Sequence, residues 1–359
     1  MCVRRKRIGF KRVARGVTIL EMLIVMACVA VLVALLLPAV RFSGDAAQRM
    51  QCSFRLKQLG LACHNYEAAH GVFPSSMAGT SLYNDQRKGN ADRLSGVVAL
   101  LPFLERDDLW NRISEPLVAE DFEYPAMGPA PWVSEYPPWQ QSLPELRCPT
   151  NAQQPSSTSF AFSVGDQAYQ LHAPEAPRGA FACGVWRSLR DISDGTSNTV
   201  GMTEIGNPAE RRVEGLVVVR GTRAVLVDPR TCTQLGNEHG LIEGDAGWPL
   251  RPRGRNWADG AANSSLVQMI LPPNQPSCAI ADSATSDGLY SAGSYHEGGC
   301  NTLMMDGAVH FVSSSIDWGA PGTAVPRLSD SESQHRESPF GVWGALGSAS
   351  AGEEGAVVP

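Results

Sequence analysis

A chain of 359 residues with 43% hydrophobic content can bury a core, as one large or two ordinary domains, and is not disordered throughout. Its formal charge of -6 hides an asymmetry, because Arg4, Arg5, Lys6, Arg7, Lys11, Arg12 and Arg15 all precede Gly16 with no acid among them. The body behind that leader is strongly acidic, which excludes sequence-independent binding of nucleic acid, a task that needs Lys and Arg to displace counterions from phosphates.

In chain order, residues 1–16 read as a basic leader and 17–71 as an N-terminal helix whose transmembrane part covers about 19–40. Residues 72–318 read as a sheet-rich exported domain, and 319–359 as a polar tail with an apolar C-terminal segment. Met22 to Val40, at about 1.5 Å per residue, would span roughly 28 Å, close to the hydrocarbon thickness of a bilayer. A cleaved secretory signal fits poorly, since Leu35-Leu36-Leu37-Pro38-Ala39-Val40-Arg41 lacks a small-x-small site. Positive charge before the run places the N-terminus in the cytoplasm, and the C-terminal domain then lies in the periplasm or outside the cell. Glu21 stands at the head of this segment, and an ionisable group inside a membrane span is read as functional by default.

The junction Gly16-Val17-Thr18-Ile19-Leu20-Glu21 resembles the type IV prepilin processing site. The resemblance implies a cut after Gly16 by a prepilin peptidase, methylation of the new N-terminus at Val17, and an acidic fifth residue, Glu21. Val17 departs from the usual Phe. Pro38, twenty-second after the cut, matches the helix-kinking Pro of many pilins. Glu21 would then pair with the Val17 amine of a neighbouring subunit, strongly so once both are withdrawn from water.

After a break expected at Ser43-Gly44-Asp45, the residues Cys52, Leu56, Leu59, Cys63 and Tyr66 recur at helical period and predict one apolar face packed on a core. Gly71 and Pro74 end this helix. Cys2 lies in the leader and Cys28 in the apolar run, leaving Cys52, Cys63, Cys148, Cys183, Cys232, Cys278 and Cys300. No C-x-x-C pair occurs among them, which disfavours a structural zinc site and favours disulfides in an oxidising compartment, with at least one thiol left over. Cys52 and Cys63 lie about 16 Å apart along one helix and cannot bond to each other.

From Val72 the pattern changes to short apolar runs, Val97 to Leu101, Leu216 to Val219, Leu266 to Leu271 and Val309 to Val312, between turn residues. This predicts a sheet-rich domain with long loops. Glu115 to Gln154, rich in Pro and Trp, reads as an irregular loop or insertion. Gly319 to Glu337 reads as a loose polar tail, and Gly341 to Leu346 as a segment that docks back on the body.

The outer domain resembles a family of exported prepilin-type proteins abundant in planctomycetes and catalogued as a domain of unknown function, DUF1559. The matching residues are Arg55-Leu56-Lys57-Gln58-Leu59-Gly60-Leu61-Ala62 with His64-Asn65-Tyr66 and Phe73-Pro74; Leu100-Leu101-Pro102-Phe103-Leu104-Glu105; Arg147-Cys148-Pro149; Asp194-Gly195-Thr196-Ser197-Asn198-Thr199 with Glu204; Leu271-Pro272-Pro273-Asn274; and Ser338 to Gly347. His296, nine residues and then Asp306-Gly307 match the family's H-x9-D-G motif. The implied fold class is α+β and pilin-like: a long N-terminal helix, membrane-spanning in its first half, packed on an antiparallel sheet domain with long loops. Cys52, Cys148, Cys232 and Cys278 are disulfide candidates, taken as Cys52 with Cys148 and Cys232 with Cys278, a pairing that no spacing derives.

Asp306-Gly307 between Leu303-Met304-Met305 and Val309 to Phe311 predicts a hairpin. The functional alternative is a metal or substrate site using His296, Asp306 and Glu297. Calcium in an oxygen-lined loop is conceivable, but no D-x-D-x-D-G run supports it, and no cofactor is otherwise expected. No catalytic residue is assigned: Ser294 is not in a G-x-S-x-G elbow, Gly195-Thr196-Ser197-Asn198 lacks the Lys of a phosphate loop, and nothing orients Cys183 toward His172. The expectation is therefore a pseudopilin-like subunit of a type IV pilus or type II secretion-like filament, not an enzyme. Its partners would be prepilin peptidase, like or related pilin subunits through the apolar helix, and membrane lipid. The alternative is a monomeric envelope or surface protein sorted by the same leader and recognising an extracellular ligand such as a polysaccharide.

Overall fold

A computed structural model describes residues 18–80, 85–150, 157–206, 211–219, 222–242, 249–320, 322–327 and 335–353, with the side chains of 34–43 left undescribed. Gly16 and Val17 lie outside the described residues. The chain divides into two compact units, one ending at Ala47 and one from Gln48 onward.

Helix α1 runs from Ile19 to His70 as 52 uninterrupted residues. The break expected at Ser43-Gly44-Asp45 is absent: a single Gly costs a helix only about 1 kcal/mol, and the residues around it are compatible with helix. The backbone also stays helical through Pro38. Thr18 caps the first turn, its hydroxyl accepting from the Glu21 amide at 3.3 Å while the Glu21 carboxylate accepts from the Thr18 amide at 2.8 Å. From Ile19 to Val33 the large apolar side chains are exposed, Ile19 by 82% and Met26 by 67%. Among the described residues no helix is long and apolar enough to cross a membrane. At its other end α1 stops where expected, with Gly71 in the left-handed region at φ +75° and its amide on the Glu67 carbonyl.

Within the second unit the predicted stripe of α1 is buried. Cys52, Leu56, Leu59, Ala62 and Cys63 are 0–3% exposed, and Tyr66 packs beside them. They meet a five-stranded sheet of order β13-β12-β6-β5-β9. Its strands are β5 (Phe160–Ser163), β6 (Val200–Glu204), β9 (Leu266–Val267), β12 (Gly299–Met304) and β13 (Val309–Ser313). Period-two alternation sends Phe160, Phe162, Met202 and Leu303 into the α1 core, and Ala161, Val267, Cys300, Met304 and Val312 into a core on the opposite face. A bulge keeps Val200 and Met202 on different faces: Leu303 pairs with Met202, but Met304 pairs with Val200, leaving Gly201 unmatched. A Cβ on Gly201 would stand 2.7 Å from Met305 Sδ, so a side chain at the bulge position would displace that methionine.

The opposite face is closed by the helix Gly341–Ala345, with Trp343 and Leu346 fully buried and Trp343 Nε1 donating to the Leu271 carbonyl at 2.8 Å. The segment expected to dock back thus forms a third layer. A second sheet, order β11-β10-β7-β8, joins β7 (Leu216–Val219), β8 (Leu250–Pro252), β10 (Ser277–Ala279) and β11 (Gly288–Leu289). Arg253, fully buried, links the two sheets by donating to the carbonyls of Ser291 and Leu266, and burial pushes its guanidinium down to about 10.

Three expectations are corrected. The sheets are mixed, since β9 runs parallel to β5 and β10 parallel to β7; strand direction depends on how distant segments return, which local pattern does not record. The run Val97 to Leu101 belongs mostly to a short helix, α2 (Gly96–Leu100), entered through β1 (Met77–Ala78) paired with β2 (Leu94–Ser95) and capped where Ser95 Oγ accepts from the Val97 amide. The Pro/Trp-rich stretch is structural. After α3 (Asp107–Ser114) it forms a hairpin of β3 (Leu117–Ala119) and β4 (Phe122–Tyr124), then buries Tyr136 and Trp139. Phe122, Tyr124, Tyr136, Trp139 and Trp257 stack edge-to-face in series at 4.8–5.8 Å.

Leu59→Ala in this stripe is expected to lower unfolding free energy by about 2–5 kcal/mol, whereas Leu61→Ala, on the exposed side of the same turn, stays within about 0.5 kcal/mol. Denaturant titration of the two variants checks the orientation of α1.

Candidate functional site

The H-x9-D-G motif brackets β12. His296 stands before the strand and Asp306 after it, and six residues at about 3.3 Å each hold the two ends roughly 20 Å apart. They do not form one site with Glu297, which is exposed. Asp306 and Gly307 make the expected hairpin turn: Gly307 sits at φ +87°, its amide donates to the Met304 carbonyl at 3.0 Å, and Asp306 Oδ1 accepts from the Ala308 amide at 2.8 Å. The Asp306 amide donates in turn to the Thr196 carbonyl, so the Asp194 to Thr199 segment supports this end. Asp194 itself anchors the C-terminal segment, accepting from Ser348 Oγ and from the amides of Ala351 and Gly352 at 2.7–2.8 Å.

The other end of β12 is a buried polar cluster. Glu204, at the end of β6, follows Thr203, the residue paired with Thr302 of β12, and its carboxylate reaches Asn301. Its Oε2 accepts from the Asn301 backbone amide at 2.6 Å and from Nδ2 at 3.0 Å, whereas Oε1, also buried, has no hydrogen-bond donor among the described residues. His296 Nε2 stands 3.4 Å from that oxygen and 3.4 Å from Cys148 Sγ. Cys148 is bonded to Cys52 of α1. All four side chains are at most 7% exposed. A carboxylate this deep is costly unless paired and hydrogen-bonded, and the imidazole of His296 lies beside it.

The loop holding His296 is built by residues far away in sequence. Asn274, at φ +65°, accepts the Ser294 amide at 2.8 Å; Ser294 Oγ donates to the Gly299 carbonyl at 2.7 Å and accepts the His296 amide at 3.1 Å. Ser294 is therefore occupied as a turn residue. The amide of Cys148 is held by Ser159 Oγ at 3.0 Å.

The motif segments around Cys148, Glu204, Asn274 and His296 thus converge on one place. The profile of a family described as a protein of unknown function, DUF1559, matches residues 45–319. The chain belongs to the DUF1559 family. No curated protein and no solved structure matches it. The DUF1559 match covers every part of this cluster, from Cys52 to Asn301.

Among the described residues, Cys52, Cys148, Glu204 and His296 bring their ligand atoms within 4.8 Å of one another, a sulfur, nitrogen and carboxylate set. Calcium, which takes six to eight oxygens, does not fit it. Sequence spacing missed this grouping because its members come from four separate segments; the only signal was that each lies in or beside a family motif. The other cysteine expectations find these places. Cys232 bonds to Cys278. Cys63 and Cys183 are buried thiols that desolvation pushes up to about 12 and about 11, and burial raises Cys300 as well. His172 accepts from the Ala262 amide at 3.2 Å and Cys183 Sγ pairs with Ser76 Oγ, so each has its own structural partner.

Loss of the Cys52–Cys148 bond in Cys52→Ser is expected to lower stability by about 2–5 kcal/mol. Non-reducing peptide mapping should recover linked Cys52–Cys148 and Cys232–Cys278 peptides and leave Cys63, Cys183 and Cys300 unmodified by an alkylating reagent under native conditions.

Proposed function

We propose that this DUF1559 protein is a pseudopilin-like structural subunit of a type IV pilus or type II secretion-like filament, processed after Gly16 and held in the inner membrane by its N-terminal helix. The N-terminus would be cytoplasmic and the second unit periplasmic or extracellular. The observation that carries the reading is the first part of α1: from Ile19 to Val33 it exposes apolar side chains and holds one charged residue, Glu21. A helix without a polar face belongs in lipid or among other apolar helices rather than at a protein surface. The apolar sequence continues through Val40, which lengthens it toward the thickness of a bilayer. The subunit would act by assembly, without chemistry of its own; the residues that resembled nucleophiles, Ser294 and Cys183, are taken up by turns and core packing.

Glu21 has two candidate roles. Thr18-x-x-Glu21 is a capping box, which satisfies the first amides of α1 without any partner. Charge pairing with a neighbouring Val17 amine is the role that assembly requires. Glu21→Gln separates them, because the amide retains the capping geometry and removes the charge. We expect Glu21→Gln and Glu21→Ala both to be cleaved and both to be absent from sheared filaments. Filaments of normal composition from Glu21→Gln would leave the cap as the residue's whole role. Mass spectrometry of the mature chain should find Val17 at the N-terminus, and an intact Met1 or a cut beyond Val40 would overturn the processing step.

A second reading, a surface protein that recognises polysaccharide, draws on a cleft of about 490 Å³. Trp132, 43% exposed, forms one wall, with Arg251, Arg255, Asn256, Asp259 and Asn263 around it. The ring is held in place by Arg93, 4.9 Å from its centroid, and by a 2.6 Å bond from Nε1 to Gln86. A fixed indole face beside planar polar groups suits a sugar ring. Trp132→Ala should then abolish retention on a polysaccharide column, and a wild-type chain that is not retained would sink this reading.

A further inference from the structure

We infer that Cys52, Cys148, Glu204 and His296 form a zinc site that alternates with the Cys52–Cys148 disulfide according to the thiol redox state. The argument starts from distances. Zinc bonds of about 2.0 Å to nitrogen or oxygen and about 2.3 Å to sulfur, at tetrahedral angles, put ligand atoms roughly 3.3–3.8 Å apart. His296 Nε2 already stands 3.4 Å from both Glu204 Oε1 and Cys148 Sγ. The remaining ligand, Cys52 Sγ, belongs to the same grouping within 4.8 Å. Breaking the disulfide frees the two sulfurs to part toward that spacing.

Two further features point to a cation. Glu204 Oε1 is buried and receives no hydrogen bond from the described residues, although Oε2 of the same carboxylate takes two donors from Asn301. One oxygen is thus oriented by the protein and the other aimed at the centre of the cluster, the arrangement by which outer contacts position a metal-binding carboxylate. Charge also favours a divalent ion: two thiolates, one carboxylate and Zn2+ leave a single net negative charge.

The redox step is ordinary exchange. A dithiol attacks one sulfur of the disulfide, breaking the Cys52–Cys148 bond and forming a mixed disulfide. Its second thiol then displaces the other cysteine, leaving two cysteine thiols and an oxidised, cyclic dithiol. Zinc binding releases the two thiol protons. With four protein ligands and a buried position, the site has no open coordination place for water, which makes it structural. In either state it fastens α1, through Cys52, to the segment carrying Cys148; the zinc form adds β6 and the His296 loop to the same fastening.

The test uses the purified full-length chain, oxidised and then reduced with dithiothreitol and desalted without air, titrated with cobalt(II) and then zinc. The reduced chain is expected to take up one cobalt per chain with the intense visible bands of a tetrahedral site and a sulfur-to-cobalt charge-transfer band, both lost when zinc is added. The oxidised chain is expected to show neither. Asn301→Ala, which removes the side-chain donor orienting Glu204 and spares the ligands, should weaken zinc binding about 10–100-fold. Cys52→Ser should lose the charge-transfer spectrum of a two-thiolate site. Absence of the band from the reduced wild-type chain, or its equal strength in the oxidised chain, would overturn the inference without recourse to any variant, and an unchanged spectrum in Cys52→Ser would remove the cluster from consideration.

Discussion

All six residues of β12 are buried, so its two faces must be covered by different parts of the chain, and the architecture follows from that constraint. On one side Leu303 meets the stripe of α1, closely enough that a Cβ on Gly60 would stand 2.7 Å from Leu303 Cδ1. On the other, Cys300 and Met304 meet Trp343 and Leu346. Apart from Asn301 and Thr302 its residues are apolar or glycine, and the covering layers come from the two ends of the second unit. The bulge at Gly201 is what lets the neighbouring strand keep the same division of faces.

A departure from apolar packing on the α1 side lies at the beginning of β12, where the Glu204 carboxylate bonds Asn301. Polar groups there are admissible only because each finds a partner: the amides of Asn301 for one carboxylate oxygen, His296 for the vicinity of the other. The same spot receives the Cys52–Cys148 bond, so the covalent link between α1 and the rest of the second unit and the polar cluster are one structure. The Asp306 end of β12 is organised differently, by backbone bonds to Thr196 and Thr199 and by the left-handed Gly307, and it contributes shape rather than chemistry.

Elements with short-range signals were legible. The spacing of Cys52, Leu56, Leu59 and Cys63 identified a buried helical face, Gly71 its end, Asp306-Gly307 a hairpin, and Gly341 to Leu346 a docking segment. Where several local readings competed, the sequence was ambiguous. Val97 to Leu101 has the composition of a strand, yet the Ser95 cap and neighbouring packing make it mostly helix. The Pro/Trp-rich stretch has the composition of a loop, yet Phe122, Tyr124, Tyr136 and Trp139 join a packed series ending at Trp257, more than a hundred residues after Trp139. Thr18-x-x-Glu21 carried a capping signal that its place beside a long apolar run overshadowed.

By itself the sequence determined the basic N-terminal stretch, the apolar run with its single acid, the helical face, the hairpin and the membership of a family, because each is written in neighbouring residues or in ordered motifs. Only the tertiary structure decided the direction of the strands and the meeting of Cys52, Cys148, Glu204 and His296. Those depend on which distant segments come to lie side by side, and residue spacing holds no record of that. His296 and Asp306 make the point together: ten positions apart in one motif, they are separated by a strand, while His296 and Cys148, 148 positions apart, are in contact.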